Sequence, residues 1–290
     1  MAPLPHLTFI ISILGLLSMG LTFMAMFEAD AAASSASPSL GRMRRLSAIK
    51  ACHYGPGCFD DFKFLFDPVA CSLLCDEELA AYREKFQSIY RLTTDDWTFV
   101  RRHIGSSLRR RRDKRGRPPI PVDTQMAAAL IYLAHGTTYA TTSIMIRNGL
   151  SEASTLRCVR MFTKAVVTKL YPTLVAFPKS VAGLDKSARA FERRSGIPDI
   201  VGAIDGSHIR VAPPKCDQRS YYNRKHFYSV ILSAVVDARG AFMACDVGYP
   251  GRMSDSKVLK YCKLYTHAVQ WFGRFGYYIY GDAAYPLRTW

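Results

Sequence analysis

The last third of the chain alternates apolar, strand-like runs with isolated aspartates, and this pattern limits the possible folds more than any other feature. The run IVGAIDGSHIRVAPP is apolar on both sides of Asp205, and the run YYIYGDAAYP is apolar up to Asp282. Between them, FYSVILSAVVDARGAFMACDVGY predicts two strands around a DARG turn, which indicates a hairpin. Helical spacing returns after Asp255, so the predicted order is three strands, a helix and a strand.

Asp205 and Asp282 are candidate metal ligands because one interrupts an apolar strand and the other ends one. An unpaired carboxylate within an apolar strand is costly unless a cation or hydrogen bonds compensate it. If the two strands are neighbours in one sheet, the carboxylates converge, and hard oxygen ligands suit Mg²⁺ or Mn²⁺. Two such ions about 4 Å apart can promote phosphodiester cleavage. A strand-terminal Asp is also a common turn residue, and that interpretation stays open.

The middle of the chain predicts helices. Residues 76–104 have mixed helical spacing, with Thr94 or Asp95 as a helix N-cap, which indicates a small helical module. The alanine-rich run DTQMAAALIYLAHG, residues 139–147 and a segment capped by Ser151 then follow in the order of a helix-turn-helix. Many helical bundles share this pattern, so a plain bundle is the alternative. The predicted DNA-contacting residues of the last helix are Arg157, Arg160 and Lys164.

A basic run, RRHIGSSLRRRRDKRGRPPIP, separates these helical regions. The whole chain carries 39 Lys and Arg against 23 Asp and Glu, a formal net charge of +16, which suits a protein that lies beside phosphate or anionic lipid. Because clustered cations release the counterions of DNA, we interpret the run as a phosphate-contacting arm and nuclear-import signal. A solvated linker is the alternative. The predicted DNA contacts in the run are Arg109, Arg110, Arg111, Arg112, Lys114 and Arg115.

Residues 7–27 carry no charge and have the length that spans a bilayer, about 20 residues. Small residues follow in EADAAASSASPS, so a signal peptide is also possible. The basic residues Arg42, Arg44 and Arg45 come after the segment and would place the rest of the chain on the cytoplasmic side. A mis-assigned start or a fusion scar explains the segment equally well. A membrane location is therefore the alternative to a nuclear one.

Five ordered blocks resemble the DDE endonuclease domain of PIF/Harbinger transposases and their nuclease-like relatives: VGAIDGSHIRVAPP, YYNRKHFYS, VVDARG, VGYPGRMSDSKVL and YGDAAYPL. Residues 122–179 resemble the helix-turn-helix region that precedes that domain. The resemblance implies an RNase H-like fold, Asp205 and Asp282 as catalytic acids, and Asp255 as a further ligand of Mg²⁺ or Mn²⁺. His208 is a candidate for orienting a carboxylate. DNA is the implied substrate, and a Myb-like accessory protein is an implied partner.

The sequence departs from this family at its final acid, a Glu on a later helix, because no Glu follows Glu192. We therefore expect either a fragment of a longer protein or a degenerate copy. The predicted fold class is α/β, with an RNase H-like mixed sheet that is incomplete at the C-terminus and follows an all-α helix-turn-helix region. The predicted divisions are residues 1–45 (signal or anchor-like segment), 46–120 (helical module and basic arm), 121–180 (helix-turn-helix-like region) and 195–290 (endonuclease domain).

Three functions remain after these observations. The first is a metal-dependent DNA endonuclease or transposase-derived nuclease with a two-metal mechanism. The second is a catalytically dead DNA-binding relic that keeps the basic arm and the helix-turn-helix. The third is a membrane-anchored protein whose basic stretch faces anionic lipid.

Overall fold

The computed structural model describes residues 59–109, 118–146, 150–212 and 217–289. They divide into two compact units, with the boundary between Lys169 and Leu170. The apolar segment 7–27 lies outside the described residues, as do residues 110–117 of the basic run. Within the described ranges, no helix is both long and apolar enough to cross a membrane.

The first unit is helical. Its buried centre is aromatic: Trp97 is fully buried and stacks on Phe59 with ring centroids 4.6 Å apart, while Phe86 meets the Trp97 ring edge-on at 5.5 Å. A 3₁₀ helix (Phe59–Phe66) precedes six α-helices, which are α1 (Pro68–Cys71), α2 (Asp76–Tyr90), α3 (Thr94–Leu108), α4 (Val122–His135), α5 (Tyr139–Met145) and α6 (Glu152–Lys169).

The predicted helices of this unit are present, but the predicted N-cap of α3 is wrong by one residue. Thr93, and neither Thr94 nor Asp95, caps the helix: its Oγ1 accepts a hydrogen bond from the Asp96 N–H at 3.2 Å. Asp96 Oδ2 accepts from the Thr93 N–H at 3.2 Å in return. This reciprocal capping box requires an acceptor three residues beyond the cap, and Asp96 supplies it for Thr93.

The second unit is an α/β layer structure, which confirms the predicted fold class. Its four-stranded sheet has the order β3-β2-β1-β4, with β1 antiparallel to β2 and parallel to β4. The elements in chain order are α7 (Tyr171–Leu174), α8 (Val181–Ser195), β1 (Ile200–Arg210), α9 (Gln218–Tyr221), β2 (Ser229–Val236), β3 (Phe242–Pro250), α10 (Asp255–Tyr261), α11 (Lys263–Trp271), a 3₁₀ helix (Gly273–Phe275) and β4 (Tyr278–Gly281).

The predicted hairpin is formed by β2 and β3. Asp237 Oδ1 accepts from the N–H groups of Arg239 and Ala241, both at 2.8 Å, and Gly240 takes a positive φ of 83° that suits glycine. The single helix predicted after Asp255 is two helices, because the backbone at Cys262 is extended and separates α10 from α11.

Helices cover one face of the sheet and form the main core of this unit. The first long helix of this unit, α8, begins after the N-cap Ser180 and ends at Gly196. Ser187 of α8 donates to the Val201 carbonyl of β1 at 2.8 Å. Apolar residues of the sheet and of the helices meet in this core, among them Leu184, Ile204, Ile231, Val235, Leu259, Leu264 and Phe272.

Candidate active site

Strand register places Asp205 and Asp282 side by side. Ile204 of β1 pairs with Gly281 of β4 in parallel register. Asp205 follows Ile204 within β1, and Asp282 follows Gly281 directly after the end of β4. Because neighbouring strands lie about 4.8 Å apart, the two aspartates emerge at the same level of the sheet. The sequence predicted this convergence only on the condition that the two strands were neighbours.

The environment of Asp205 differs from the apolar one expected from the sequence. Asp205 is exposed, although it lies in the middle of β1 between apolar residues. β4 pairs with β1 only up to Ile204, so the next part of β1 has no described strand on that side. Burial therefore gives no reason for a compensating cation at Asp205, and the case for a metal depends on the neighbouring carboxylate.

Backbone N–H groups orient both carboxylates. Asp205 Oδ1 accepts from the Gly206 N–H at 2.7 Å, and Asp282 Oδ1 accepts from the Ala284 N–H at 3.0 Å. The Asp282 carbonyl also accepts from the Tyr285 N–H at 3.1 Å, which closes a turn directly after β4. Asp282 thus has the turn role that its sequence position allowed, and its carboxylate is still exposed beside Asp205.

Asp255, the first residue of α10, approaches β1 from the helix-covered face. A Cβ atom at Gly206 would lie 2.2 Å from Asp255 Oδ1, so the carboxylate occupies the space that any other residue at 206 would fill. Successive residues of a strand point to opposite faces, which puts the Gly206 position opposite the Asp205 side chain. Asp255 is half-buried there, beside the residue that follows Asp205 in β1.

Tyr285 is a site residue that the sequence argument did not single out. Its ring covers Gly281, where a Cβ would lie 3.0 Å from Tyr285 Cδ2 and 3.1 Å from Ile204 Cγ2. Burial raises the pKa of Tyr285 far above its usual value, and the charges of Asp255, Asp205 and Asp282 raise it further. The phenol is therefore neutral and available as a hydrogen-bond donor. Its position in YGDAAYPL, three residues after Asp282, is the sequence signal that could have identified it.

His208 contacts a hydroxyl group, and its role of orienting a carboxylate stays a prediction. Its Nδ1 lies 3.0 Å from Ser229 Oγ, and Asn223 Nδ2 donates to the same oxygen at 2.8 Å. Burial lowers the pKa of His208; Asp255 opposes this shift, while Lys225 contributes to it. The lowered pKa favours the neutral form of the imidazole that contacts Ser229.

The donor atoms of the site fit a divalent cation only in part. Asp205 and Asp282 offer exposed carboxylate oxygens, the ligand type that Mg²⁺ and Mn²⁺ prefer. Within the described parts of the chain, however, no group of three or more His, Cys, Asp or Glu side chains is gathered closely enough to hold a metal ion. The ligand set that adds Asp255 to the pair therefore stays a prediction.

The structure separates the basic residues predicted to contact DNA. Arg157 and Lys164 are exposed and lie two turns apart on α6, whereas Arg160 is half-buried and its charge acts on the pKa of Tyr139. The predicted basic face is therefore interrupted at Arg160, which is turned towards the neighbouring helix α5. Arg109 is exposed at the C-cap of α3. The remaining predicted contacts lie outside the described residues: Arg110, Arg111, Arg112, Lys114 and Arg115.

Comparison with known proteins supports a nuclease lineage for the part of the chain that holds this site. The sequence profile of the family described as DDE superfamily endonuclease matches residues 204–290. "Putative nuclease HARBI1" of Bos taurus is 32% identical over 193 residues, which covers 64% of this chain and 52% of that protein. Its counterpart in Mus musculus is 30% identical over 207 residues, with coverage of 71% and 58%.

A plant relative matches over a shorter stretch. "Protein ALP1-like" of Arabidopsis thaliana is 31% identical over 121 residues, or 37% of this chain and 30% of that protein. The chain spans about half the length of the HARBI1 relatives it matches. No solved structure matches the chain. With its paired aspartates on adjacent parallel strands and this set of relatives, the chain carries a Harbinger-type endonuclease domain of the DDE superfamily.

Proposed function

We propose that this chain is a transposase-derived, metal-dependent DNA endonuclease in which Asp205 and Asp282 are the catalytic acids. The observation that carries the proposal is the register of Ile204 with Gly281, which brings the next residue of each strand to the same point. Two exposed carboxylates side by side repel each other unless a cation lies between them. The names of the HARBI1 relatives make a nuclease the function class that suits this pair best.

In this mechanism Asp205 and Asp282 would hold the divalent ion, with Asp255 as the further ligand that the sequence predicts. A bound Mg²⁺ or Mn²⁺ would supply Lewis-acid stabilisation to a phosphodiester under attack. The backbone N–H groups of Gly206 and Ala284 hold one oxygen of each carboxylate and leave the other free to face the cation. Tyr285, kept neutral by its surroundings, can donate a hydrogen bond within the same site.

DNA is the proposed substrate, and the nucleus is the proposed location. The exposed residues Arg157 and Lys164 and the basic run support binding to the DNA backbone. A Myb-like accessory protein is the proposed partner. The alternative function is DNA binding without chemistry, and one observation favours it: three ligand side chains are not gathered together in the described ranges.

Calorimetric titration of the full chain with Mn²⁺ tests the proposal. We expect Asp205→Asn and Asp282→Asn each to weaken Mn²⁺ binding by roughly tenfold or more, because each removes one of the carboxylate charges that hold the cation. Asp76→Asn, at an exposed aspartate of the other unit, is the matched control and should leave binding unchanged.

Asp255→Asn then separates the two ligand sets. A loss as large as that of Asp205→Asn would place Asp255 among the ligands, and an unchanged affinity would limit the ligands to the pair. Mn²⁺ binding that is equal in the wild type, Asp205→Asn and Asp282→Asn would overturn the nuclease proposal. DNA binding that persists in that case would favour the non-catalytic alternative.

A further inference from the structure

A second polar site lies at the Arg210 end of β1, beyond the two aspartates. Val211 donates its N–H to the Tyr228 carbonyl at 3.0 Å, which ties the segment before β2 to the end of β1. The Gly251 N–H donates to the Ser229 carbonyl at 2.9 Å. The Arg252 N–H donates to the Ser220 carbonyl at 3.0 Å, so the end of β3 joins the same assembly.

Asn223 gives this region a defined shape. It is only 3% exposed, and its Oδ1 accepts from the N–H groups of Lys225 at 2.9 Å and Phe227 at 3.2 Å. Its Nδ2 donates to Ser229 Oγ at 2.8 Å. Because one buried side chain satisfies three separate groups, the loop between α9 and β2 is preorganised to present its outward side chains.

A cavity of about 610 Å³ lies beside this loop. Tyr222 is 43% exposed, and its ring lies edge-on to Tyr228 with centroids 5.2 Å apart. Within the described residues neither the Arg219 nor the Arg252 guanidinium makes an ion pair, and both are exposed. The cavity is lined by Gln218, Arg219, Tyr222, Tyr228 and Arg252.

The charge around the cavity is strongly positive. Arg210 lies with its guanidinium carbon 4.4 Å from the centroid of the Phe227 ring, so its charge is held over this end of the sheet. Asp217 is the acid next to the cavity residues in sequence. The cations of the region are Arg210, Arg219, Arg224, Lys225 and Arg252.

An exposed tyrosine beside arginines that form no ion pair within the described residues is a combination that binds single-stranded nucleic acid. Arginines contact the phosphates, and aromatic rings stack with bases of any sequence. A base inside a duplex has both faces covered by its neighbours and cannot stack on a tyrosine. An unpaired base has a free face, so the geometry favours a single strand over a duplex.

We propose that this cavity binds an unpaired nucleotide of DNA, with the base stacked on Tyr222 and its phosphates at Arg219 and Arg252. Arg210 lies five positions after Asp205 on β1, a span of roughly 17 Å at about 3.3 Å per residue. The cavity therefore holds a flanking part of the strand and not the phosphate that is cut. The claim that this DNA strand continues to Asp205 and Asp282 rests on the proposed nuclease function. The binding of the nucleotide in the cavity does not depend on that function.

Fluorescence anisotropy with the full chain tests the inference, using a dye-labelled single-stranded oligothymidine and a blunt duplex of equal length, in EDTA. We expect Tyr222→Leu to weaken binding of the single strand by roughly 5- to 150-fold, because one stacking contact is lost. Duplex binding should change by less than about twofold, which is within the usual effect of one lost neutral contact at a surface. Tyr222→Trp should keep the single-strand affinity, since indole stacks as well as phenol.

The salt dependence of binding tests the two arginines. Arg219→Gln and Arg252→Gln should each reduce the slope of log affinity against log salt by about 0.7 on the single strand. The matched controls are Arg239→Gln, in the turn at the opposite end of the sheet, and Tyr261→Leu, at a 65% exposed tyrosine of α10. Both controls should bind as the wild type does.

Three results would overturn the inference: no single-strand binding by the wild type, an equal effect of Tyr222→Leu on single strand and duplex, or an effect no larger than that of Tyr261→Leu. If Mn²⁺ binding proves independent of Asp205 while the Tyr222 effect persists, the nuclease proposal fails and the nucleotide site stands.

Discussion

Replacing Gly251 by alanine should destabilise the second unit more than its single added methyl group suggests. A Cβ at Gly251 would lie 2.1 Å from Ser229 Oγ, 2.6 Å from the Ser229 carbonyl oxygen and 2.8 Å from the Tyr221 carbonyl oxygen. Both carbonyl oxygens are backbone atoms, and the Ser229 carbonyl already accepts from the Gly251 N–H, so neither can turn away as a side-chain atom can. We expect the free energy of unfolding to fall by about 2–3 kcal/mol, the upper part of the range for overpacking.

Gly105 and Gly206 provide positions at which the effect of an added Cβ can be compared with that at Gly251. At Gly105, inside α3, a Cβ would lie 3.7 Å from the nearest atom, Val122 Cγ1, which is an ordinary contact. Gly105→Ala should therefore stabilise the protein by about 0.5–1 kcal/mol through helix propensity. At Gly206 the crowded atom is Asp255 Oδ1, the end of a side chain that can turn, so Gly206→Ala should cost about 1 kcal/mol and displace the carboxylate.

Urea denaturation monitored by circular dichroism measures all three variants. The expected order of stability is Gly105→Ala above wild type, then Gly206→Ala, then Gly251→Ala. Gly251→Ala should also weaken single-strand binding, because the same junction positions Arg252. This order assumes that the cost of an added Cβ depends on whether the atom it meets can move away. A Gly251→Ala protein as stable as the wild type, or a Gly105→Ala protein less stable than the wild type, would refute that assumption.

Two further predictions concern burial. Burial raises the pKa of the Asp246 carboxyl above its usual value of 3.8, despite the hydrogen bond from the Lys263 N–H. The folded state therefore gains stability as the pH falls through that raised pKa, and this gain is absent at pH 7. Asp246→Asn should be more stable than the wild type at pH 7, and the difference in the free energy of unfolding should disappear near pH 4 in urea titrations. Trp97→Ala should lower the free energy of unfolding by about 3–5 kcal/mol, measured in the same way, because it empties the aromatic centre of the first unit. Trp97→Phe, which refills most of that space, should cost less than half as much, and equal losses would show that volume is not what matters there.

Local patterns in the sequence were sufficient for most elements. Apolar, β-rich runs around the DARG turn predicted β2 and β3, and helical spacing with capping residues predicted α4 to α6. These signals are local because turns, caps and one-sided burial act on neighbouring residues. The N-cap at Thr93 and the division between α10 and α11 were missed because each depends on a single residue conformation that spacing does not reveal.

What the sequence by itself determined is the set of candidate groups and the fold class: aspartates at apolar strands, a basic chain and an α/β order of elements. Only the tertiary structure decided that β4 lies beside β1, that its register ends at Ile204, and that Asp205 is consequently exposed next to Asp282. It also decided that Tyr285 covers Gly281 and that Arg252 joins Tyr222 at a second site. The physical reason is that register and close approach join residues far apart in the chain. Their free energies depend on which surfaces pack together, and no local pattern carries that information.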